Sequence, residues 1–158
     1  MRQTFDRRSV LGYCVGSAAG AVLLASAAPT RAAAMSFNAT LKGASEVPPT
    51  TSAGTGAATV TYDASTKMVT WKGTFSGLSG PATAAHIHGP GEVGKNAGVI
   101  VPFSQKDVPF TSPFQGSATL PDDKAAALSA ALMAGQAYVN VHTAANPGGE
   151  LRGQLAKA

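Results

Sequence analysis

Cysteine is almost absent from this sequence, which contains one among its 158 residues. That residue, Cys14, lies in an N-terminal segment that we predict to be removed, so the remaining chain has no thiol from which a disulfide could form. Small exported domains often depend on disulfides for their stability. We therefore expect this domain to be held together by its apolar core or by a bound metal ion.

A large excess of charge is also lacking once the N-terminus is set aside. The whole chain has a net charge of +4. Residues 1–34, which we predict to be an export signal, contain four arginines against one aspartate, a net charge of +3, which leaves about +1 for residues 35–158. The basic pI of the full chain therefore gives no support for a nucleic-acid-binding function.

Recognisable catalytic motifs are missing as well. No serine stands in a Gly-x-Ser-x-Gly elbow. Residues 89–94 formally match Gly-x-Gly-x-x-Gly, but a loop and a short predicted strand follow them instead of a helix, so we reject a dinucleotide site. The sequence also shows no internal repeat with a period of about 20–50 residues. These absences favour a binding or structural protein over an enzyme.

The N-terminal segment has the pattern of a twin-arginine signal peptide. Arg7 and Arg8 precede a mildly hydrophobic stretch at 10–28 that is rich in glycine and alanine, and positions 32–34 are three alanines. We expect cleavage after about Ala34 and a periplasmic or secreted protein that meets the membrane only through its transient signal. The alternative is an uncleaved anchor, because about 18 apolar residues nearly span a bilayer.

The remaining chain, residues 35–158, has the pattern of one all-β domain. Apolar residues alternate with polar ones in short runs, and Gly, Pro, Ser and Asp separate the runs. The predicted strands cover residues 36–42, 55–62, 66–75, 83–88, 99–101, 115–120, 137–142 and 150–155. About eight strands with short turns predict an antiparallel β-sandwich or Greek-key barrel, with one short helix.

That single predicted helix follows Pro121. We expect Asp122 or Asp123 to cap its first amides and Gly135 to end it. An apolar stripe at helical spacing consists of Ala125, Leu128, Ala131 and Leu132.

All three histidines lie in two short segments beside glycine-rich turns. His86 and His88 are two apart in a predicted strand, and His142 shares a strand face with Asn140, because alternate residues of a strand point the same way. If the aliphatic residues between them face the core, the three imidazoles point outward, and they meet if the two strands are neighbours. Three neutral imidazoles suit copper or zinc and leave a fourth coordination position open.

Three polar residues near these histidines are candidates for supporting roles. Glu150 is a candidate fourth ligand or an acceptor for an imidazole N–H, and Asn140 is a further candidate partner on the His142 face. Arg152, two residues after Glu150, is a candidate for attracting an anion to the site. For Glu150 and Arg152 we favour the alternative that they form an ion pair or clamp a loop.

The segments around the histidines resemble the CHRD domain family, named for the repeated domain of chordin. The matching motifs are Phe37-x-Ala-x-Leu-x-Gly-Ala-x-Glu-Val-Pro-Pro, Ala85-His-Ile-His-Gly-Pro, Tyr138-Val-Asn-Val-His-Thr and Gly148-Gly-Glu-Leu-Arg-Gly-Gln. They occur in this order through nearly all of residues 35–158. The resemblance implies a β-sandwich-like domain outside the cytoplasm, without an established catalytic activity.

Two functions remain open from the sequence. The first is a metal-binding protein that holds copper or zinc on the sheet surface through His86, His88 and His142. The second is a non-catalytic structural module, or one that binds a protein or a polysaccharide, in which the histidines hydrogen-bond to backbone groups and anchor loops.

Overall fold

The computed structural model describes residues 33–104, residue 108 and residues 110–158. The predicted signal, residues 1–34, lies almost entirely outside these residues, so it stays a prediction. In the described part of the chain, no helix is both long and apolar enough to cross a membrane.

The strands of the described residues form one antiparallel sheet. They are β1 Met35–Lys42, β2 Thr55–Asp63, β3 Met68–Ser76, β4 Ala82–His88, β5 Val99–Pro102, β6 Phe114–Thr119, β7 Tyr138–Thr143, β8 Leu151–Gln154 and β9 Ala156–Lys157. A short 3-10 helix covers Gly43–Ser45, and the helix α1 covers Asp122–Met133.

The strand order explains how distant segments meet. Neighbouring strands follow the order β5-β4-β7-β8-β1-β2-β3-β6, and β9 pairs with β1. The sheet curls into a half-barrel. The prediction of an all-β antiparallel fold with about eight strands and one short helix is confirmed. Strands β2 and β3 form a hairpin in which Asp63 pairs with Met68.

Alternation along the strands builds the core. In β1, Phe37, Ala39 and Leu41 are buried while the residues between them are exposed, as expected for a strand with one face on the core and one in water. Strand β7 departs from this pattern because all six of its residues are buried. Its polar face is therefore covered by other parts of the chain, and this face holds the site described below.

Helix α1 follows the prediction except at its first turn. The stripe Ala125, Leu128, Ala131 and Leu132 is buried. The capping prediction was wrong: Pro121 is the N-cap, and Asp122 and Asp123 lie inside the first turn, where no side chain caps the helix. Their negative charge still favours the positive end of the helix dipole. Gly135 ends the helix with a positive φ of 67°, as predicted.

The sheet order makes the two histidine-bearing strands neighbours. In the β4–β7 ladder, Ala84 lies opposite His142, His86 opposite Asn140, and His88 opposite Tyr138. Strand β7 pairs on its other side with β8, which places Asn140 opposite Arg152. One face of three adjacent strands therefore displays the histidines together with most of their predicted supporting residues.

Candidate metal centre

The three histidines converge on one face of β4 and β7. One nitrogen from each of His86, His88 and His142 can be chosen so that all three lie within 4.8 Å of one another. The shortest approach joins His86 Nδ1 and His142 Nε2, at 3.0 Å. Nitrogens on a tetrahedral metal with bonds of about 2.0–2.1 Å lie about 3.3 Å apart. Coordination would therefore bring closer together the nitrogens that now lie up to 4.8 Å apart.

Backbone carbonyl groups fix the tautomers of two rings. His88 Nδ1 lies 2.9 Å from the carbonyl oxygen of Ala97, and His142 Nδ1 lies 3.0 Å from that of Pro147. A carbonyl oxygen only accepts, so each Nδ1 is the protonated nitrogen that donates. Each Nε2 consequently bears a lone pair, and His86 Nδ1 donates to His142 Nε2. Metal-ligating histidines usually have a carbonyl or carboxylate partner of this kind.

The surroundings of the imidazoles keep them neutral. Burial, together with the neighbouring His142 and His88, lowers the pKa of His86 to about 4. Burial also lowers the pKa of His88 and of His142, against the opposing effect of their backbone hydrogen bonds. All three rings are therefore neutral at pH 7, and each carries a lone pair that can bind a metal without loss of a proton, although that of His142 accepts the hydrogen bond from His86.

Two polar atoms of this face are buried without a hydrogen-bond partner. Among the described residues, His88 Nε2 and Asn140 Oδ1 are the buried side-chain nitrogen and oxygen atoms that lack one. Leaving a buried polar atom unpaired costs about 1–3 kcal/mol, so such atoms are uncommon in native proteins. Both atoms carry a lone pair and accept hydrogen bonds, so both suit a bound cation or a hydrogen-bond donor that completes the site.

Arg152 and Tyr138 support the site from the β8 side. The Arg152 guanidinium lies 3.5 Å from the centroid of the Tyr138 ring. The His88 imidazole stacks on the same ring at 5.0 Å, with only 5° between the planes. Since β7 lies between β4 and β8, Tyr138 separates His88 from Arg152. The guanidinium also donates to the backbone oxygen of Glu92 and to Asn96, so Arg152 clamps the loop after β4.

Glu150 lies in a hydrogen-bonded cluster of its own. Its buried carboxylate accepts hydrogen bonds from Ser52 Oγ at 2.6 Å, Ser79 N at 2.7 Å, Thr143 Oγ1 at 2.6 Å and Asn146 Nδ2 at 3.1 Å. Burial raises its pKa, but the hydrogen bonds from Ser52, Ser79 and Thr143 together outweigh this effect and lower the pKa to about 2. The structure brings no imidazole into hydrogen-bonding contact with Glu150. Its contacts are those of a loop clamp.

Glu46 is a residue of this region that our sequence reasoning missed. It is 4% exposed, and its Oε1 accepts a hydrogen bond of 2.8 Å from Asn140 Nδ2. Burial raises its pKa to about 7, against the lowering effects of the Arg152 charge and of hydrogen bonds from Val47 N–H and Asn140. The available signal was an isolated acidic residue before two prolines. Its place beside β7 depends on a contact across 94 residues, which local patterns do not reveal.

Comparison with known protein families gives a match to the CHRD domain. The sequence model of that family matches residues 37–155, a range that includes all three histidines. No match was found among curated proteins or among solved structures.

Proposed function

The chain belongs to the CHRD domain family, and we propose that it binds one copper or zinc ion through His86, His88 and His142. The observation that supports this most strongly is the buried Nε2 of His88, which has no hydrogen-bond partner. Because the Ala97 carbonyl occupies Nδ1 of the same ring, this Nε2 bears a lone pair that nothing else in the described residues uses. A metal ion satisfies it.

The donor set suits copper and zinc. Three neutral imidazoles are borderline ligands that both ions accept, and no carboxylate or thiolate of the described residues joins the cluster of ligand atoms. Three protein ligands leave a coordination position for water or another small ligand. Binding also has to replace the hydrogen bond between His86 and His142, because the lone pair of His142 Nε2 accepts it.

We further propose that the protein acts outside the cytoplasm. The support is the sequence of residues 1–34, with its twin arginines and its final alanines. The twin-arginine route carries folded proteins, which suits a protein that binds its metal before export. Intact-mass analysis of the periplasmic fraction tests this: a chain that begins after about Ala34 supports it, and a full-length chain in the membrane fraction contradicts it.

A titration of the metal-free protein tests the metal site. We expect one Cu(II) or Zn(II) per chain for the wild type, measured by calorimetry. In His88→Ala we expect affinity to fall more than about 100-fold, because loss of a mere supporting partner already costs about 10–100-fold. The variant Gln115→Ala, at an exposed position of β6, serves as the matched control and should bind like the wild type. Unchanged binding in His88→Ala contradicts the proposal.

A second candidate function has its own observation in favour. The hydrogen bonds from His88 to Ala97 and from His142 to Pro147 tie two loops to the sheet, as expected of a structural or partner-binding module. In that case the protein takes up no metal, and each His→Ala change destabilises the fold by about 1–3 kcal/mol. A stable, soluble variant with all three histidines replaced contradicts this alternative.

A further inference from the structure

A second polar cluster, formed by Glu46, Asn140 and Gly149, lies beside the three histidines. Asn140 is 3% exposed, and its Oδ1 has no hydrogen-bond partner. Its Nδ2 donates to Glu46 Oε1. This cluster thus contains a buried hydrogen-bond acceptor that has no donor. None of the proposed metal ligands belongs to the cluster.

The chemistry of Glu46 determines which end of the Asn140 amide is free. At pH 8, above its pKa of about 7, Glu46 is ionised, and an ionised carboxylate only accepts hydrogen bonds, so it binds the NH₂ end of the amide. The reverse orientation would place two acceptors against each other in a buried position. Consequently Glu46 holds Asn140 Nδ2 toward itself, and the carbonyl oxygen is the end left for another molecule.

The position of Asn140 in the sheet places its side chain beside the proposed metal ligands. Asn140 lies directly opposite His86 in the β4–β7 ladder and two residues before His142 on the same face of β7. Directly opposed residues of an antiparallel pair have Cβ atoms about 4.5–5.5 Å apart. The free carbonyl therefore belongs to a side chain that is a direct neighbour of two proposed metal ligands.

Gly149 packs closely against both Asn140 and Glu46. Its φ is +132°, and a Cβ at this position would overlap the side chains of both Asn140 and Glu46. The same glycine and Glu46 line a groove of about 440 Å³ between residues 46–51 and 145–149, which is open to solvent. Small molecules thus have access to the Glu46 side of the cluster. The Gly149 backbone keeps larger groups away from the Asn140 side-chain amide.

We propose that Asn140 Oδ1, oriented by Glu46, binds a water molecule that occupies the fourth coordination position of the metal. This inference rests on the proposed function, since the three histidines must hold the metal. Asn140 and Glu46 act as positioning residues: they hold a neutral hydrogen-bond donor and do not bind the metal. Other small donors, such as alcohols, would replace the water at the same place. The site is then of the open kind, able to exchange a ligand.

Electron–nuclear double resonance on the Cu(II)-loaded full-length mature protein at pH 8 tests this. In the wild type we expect a coupling to exchangeable protons, lost in D₂O, from water on the copper. In Asn140→Leu we expect one copper per chain but a loss or a clear shift of this coupling, with affinity about 10–100-fold lower. The matched control is Asn38→Leu, on the exposed face of β1, which should leave both unchanged.

A second variant tests the role of Glu46 and guards against misfolding of the first. In Glu46→Gln the new side chain can donate as well as accept, so it no longer fixes the orientation of the Asn140 amide, and we expect a weaker or shifted proton coupling. Glu92→Gln, at an exposed position, is the control. Wild-type coupling in folded Glu46→Gln and Asn140→Leu, with one copper per chain, overturns this inference and leaves the metal site standing. Absence of copper from the wild type overturns both.

Discussion

At the scale of single residues, the buried carboxyl group of Glu46 links stability to pH. Its pKa is about 7 in the folded protein and 4.5 for an ordinary glutamate. Between these values the folded protein holds the proton and the unfolded chain does not. Stability from this group is therefore fully present below pH 4.5 and is lost as pH rises to 7.

The variant Glu46→Gln should lack this dependence. We expect the wild type to lose unfolding free energy relative to the variant between pH 4.5 and 7, by at most about 1.4 kcal/mol per pH unit, with a constant difference above pH 7. Urea unfolding across this range measures it. Glu92→Gln, at an exposed site, controls for the loss of one negative charge. A difference that does not vary with pH contradicts the assignment.

Gly149 offers a second prediction at this scale. A Cβ there overlaps Asn140 and Glu46, and the φ of +132° is strained for any other residue. We expect Gly149→Ala to destabilise the protein by about 1–3 kcal/mol. Gly148→Ala is a matched control, because nothing lies within 4 Å of its added Cβ, and it should unfold at nearly the wild-type urea concentration. Equal losses of stability in the two variants would argue against close packing of Gly149 on Asn140 and Glu46.

At the scale of elements, Glu150 holds several connecting segments together. It accepts hydrogen bonds from the loop before β2, the turn after β3 and the turn after β7, through Ser52, Ser79 and Asn146. Because donors depress its pKa to about 2, its contribution to stability is present above pH 4.5 and is lost as pH falls toward 2.

The variant Glu150→Gln tests this clamp. We expect it to be less stable than the wild type at pH 7 by about 1–3 kcal/mol, because its amide group cannot accept from all the same donors. The difference should shrink as pH falls from 4.5 to 2, since the wild-type carboxylate becomes protonated there. Thermal unfolding followed by circular dichroism checks both points, and a difference that grows toward low pH contradicts them.

Local patterns predicted the elements well and their ends less well. Alternation identified β1 because its core residues Phe37, Ala39 and Leu41 are regularly spaced. The first turn of α1 was misjudged because Pro121, with an extended ψ of 161°, takes the N-cap position itself. Asp122 then falls inside the helix, where it pairs with Lys67. That contact is between distant parts of the sequence, so local capping rules did not include it.

At the scale of the whole molecule, the site depends on strand pairings that the sequence does not specify. The shared face of His86 and His88 followed from the two-residue period of a strand. Their meeting with His142 required β7 to pair with β4, although β5, β6 and α1 lie between them in sequence. Glu46 reaches the same face through the β8–β1 side of the sheet. Such long-range pairings arise from global packing, so the three candidate ligands and the shared face of His86 and His88 were predictable, but the meeting of the two strands was not.

Metal binding should stabilise the whole domain. A ligand that binds only the folded state at 100 times its Kd raises the unfolding free energy by about 2.7 kcal/mol. We therefore expect Zn(II) to raise the Tm of the wild type and to leave that of His88→Ala nearly unchanged, as measured by calorimetry. Equal increases in both proteins would mean that zinc binds elsewhere.

The metal content of the exported, untagged mature protein tests the central claim most directly. Mass spectrometry of elements, on protein purified without chelators, should find about one copper or zinc per chain. The same preparation of the variant in which His86, His88 and His142 are all alanine should contain none. Metal-free wild-type protein that also fails to take up either ion in solution would contradict the account, and the histidines would then be loop anchors.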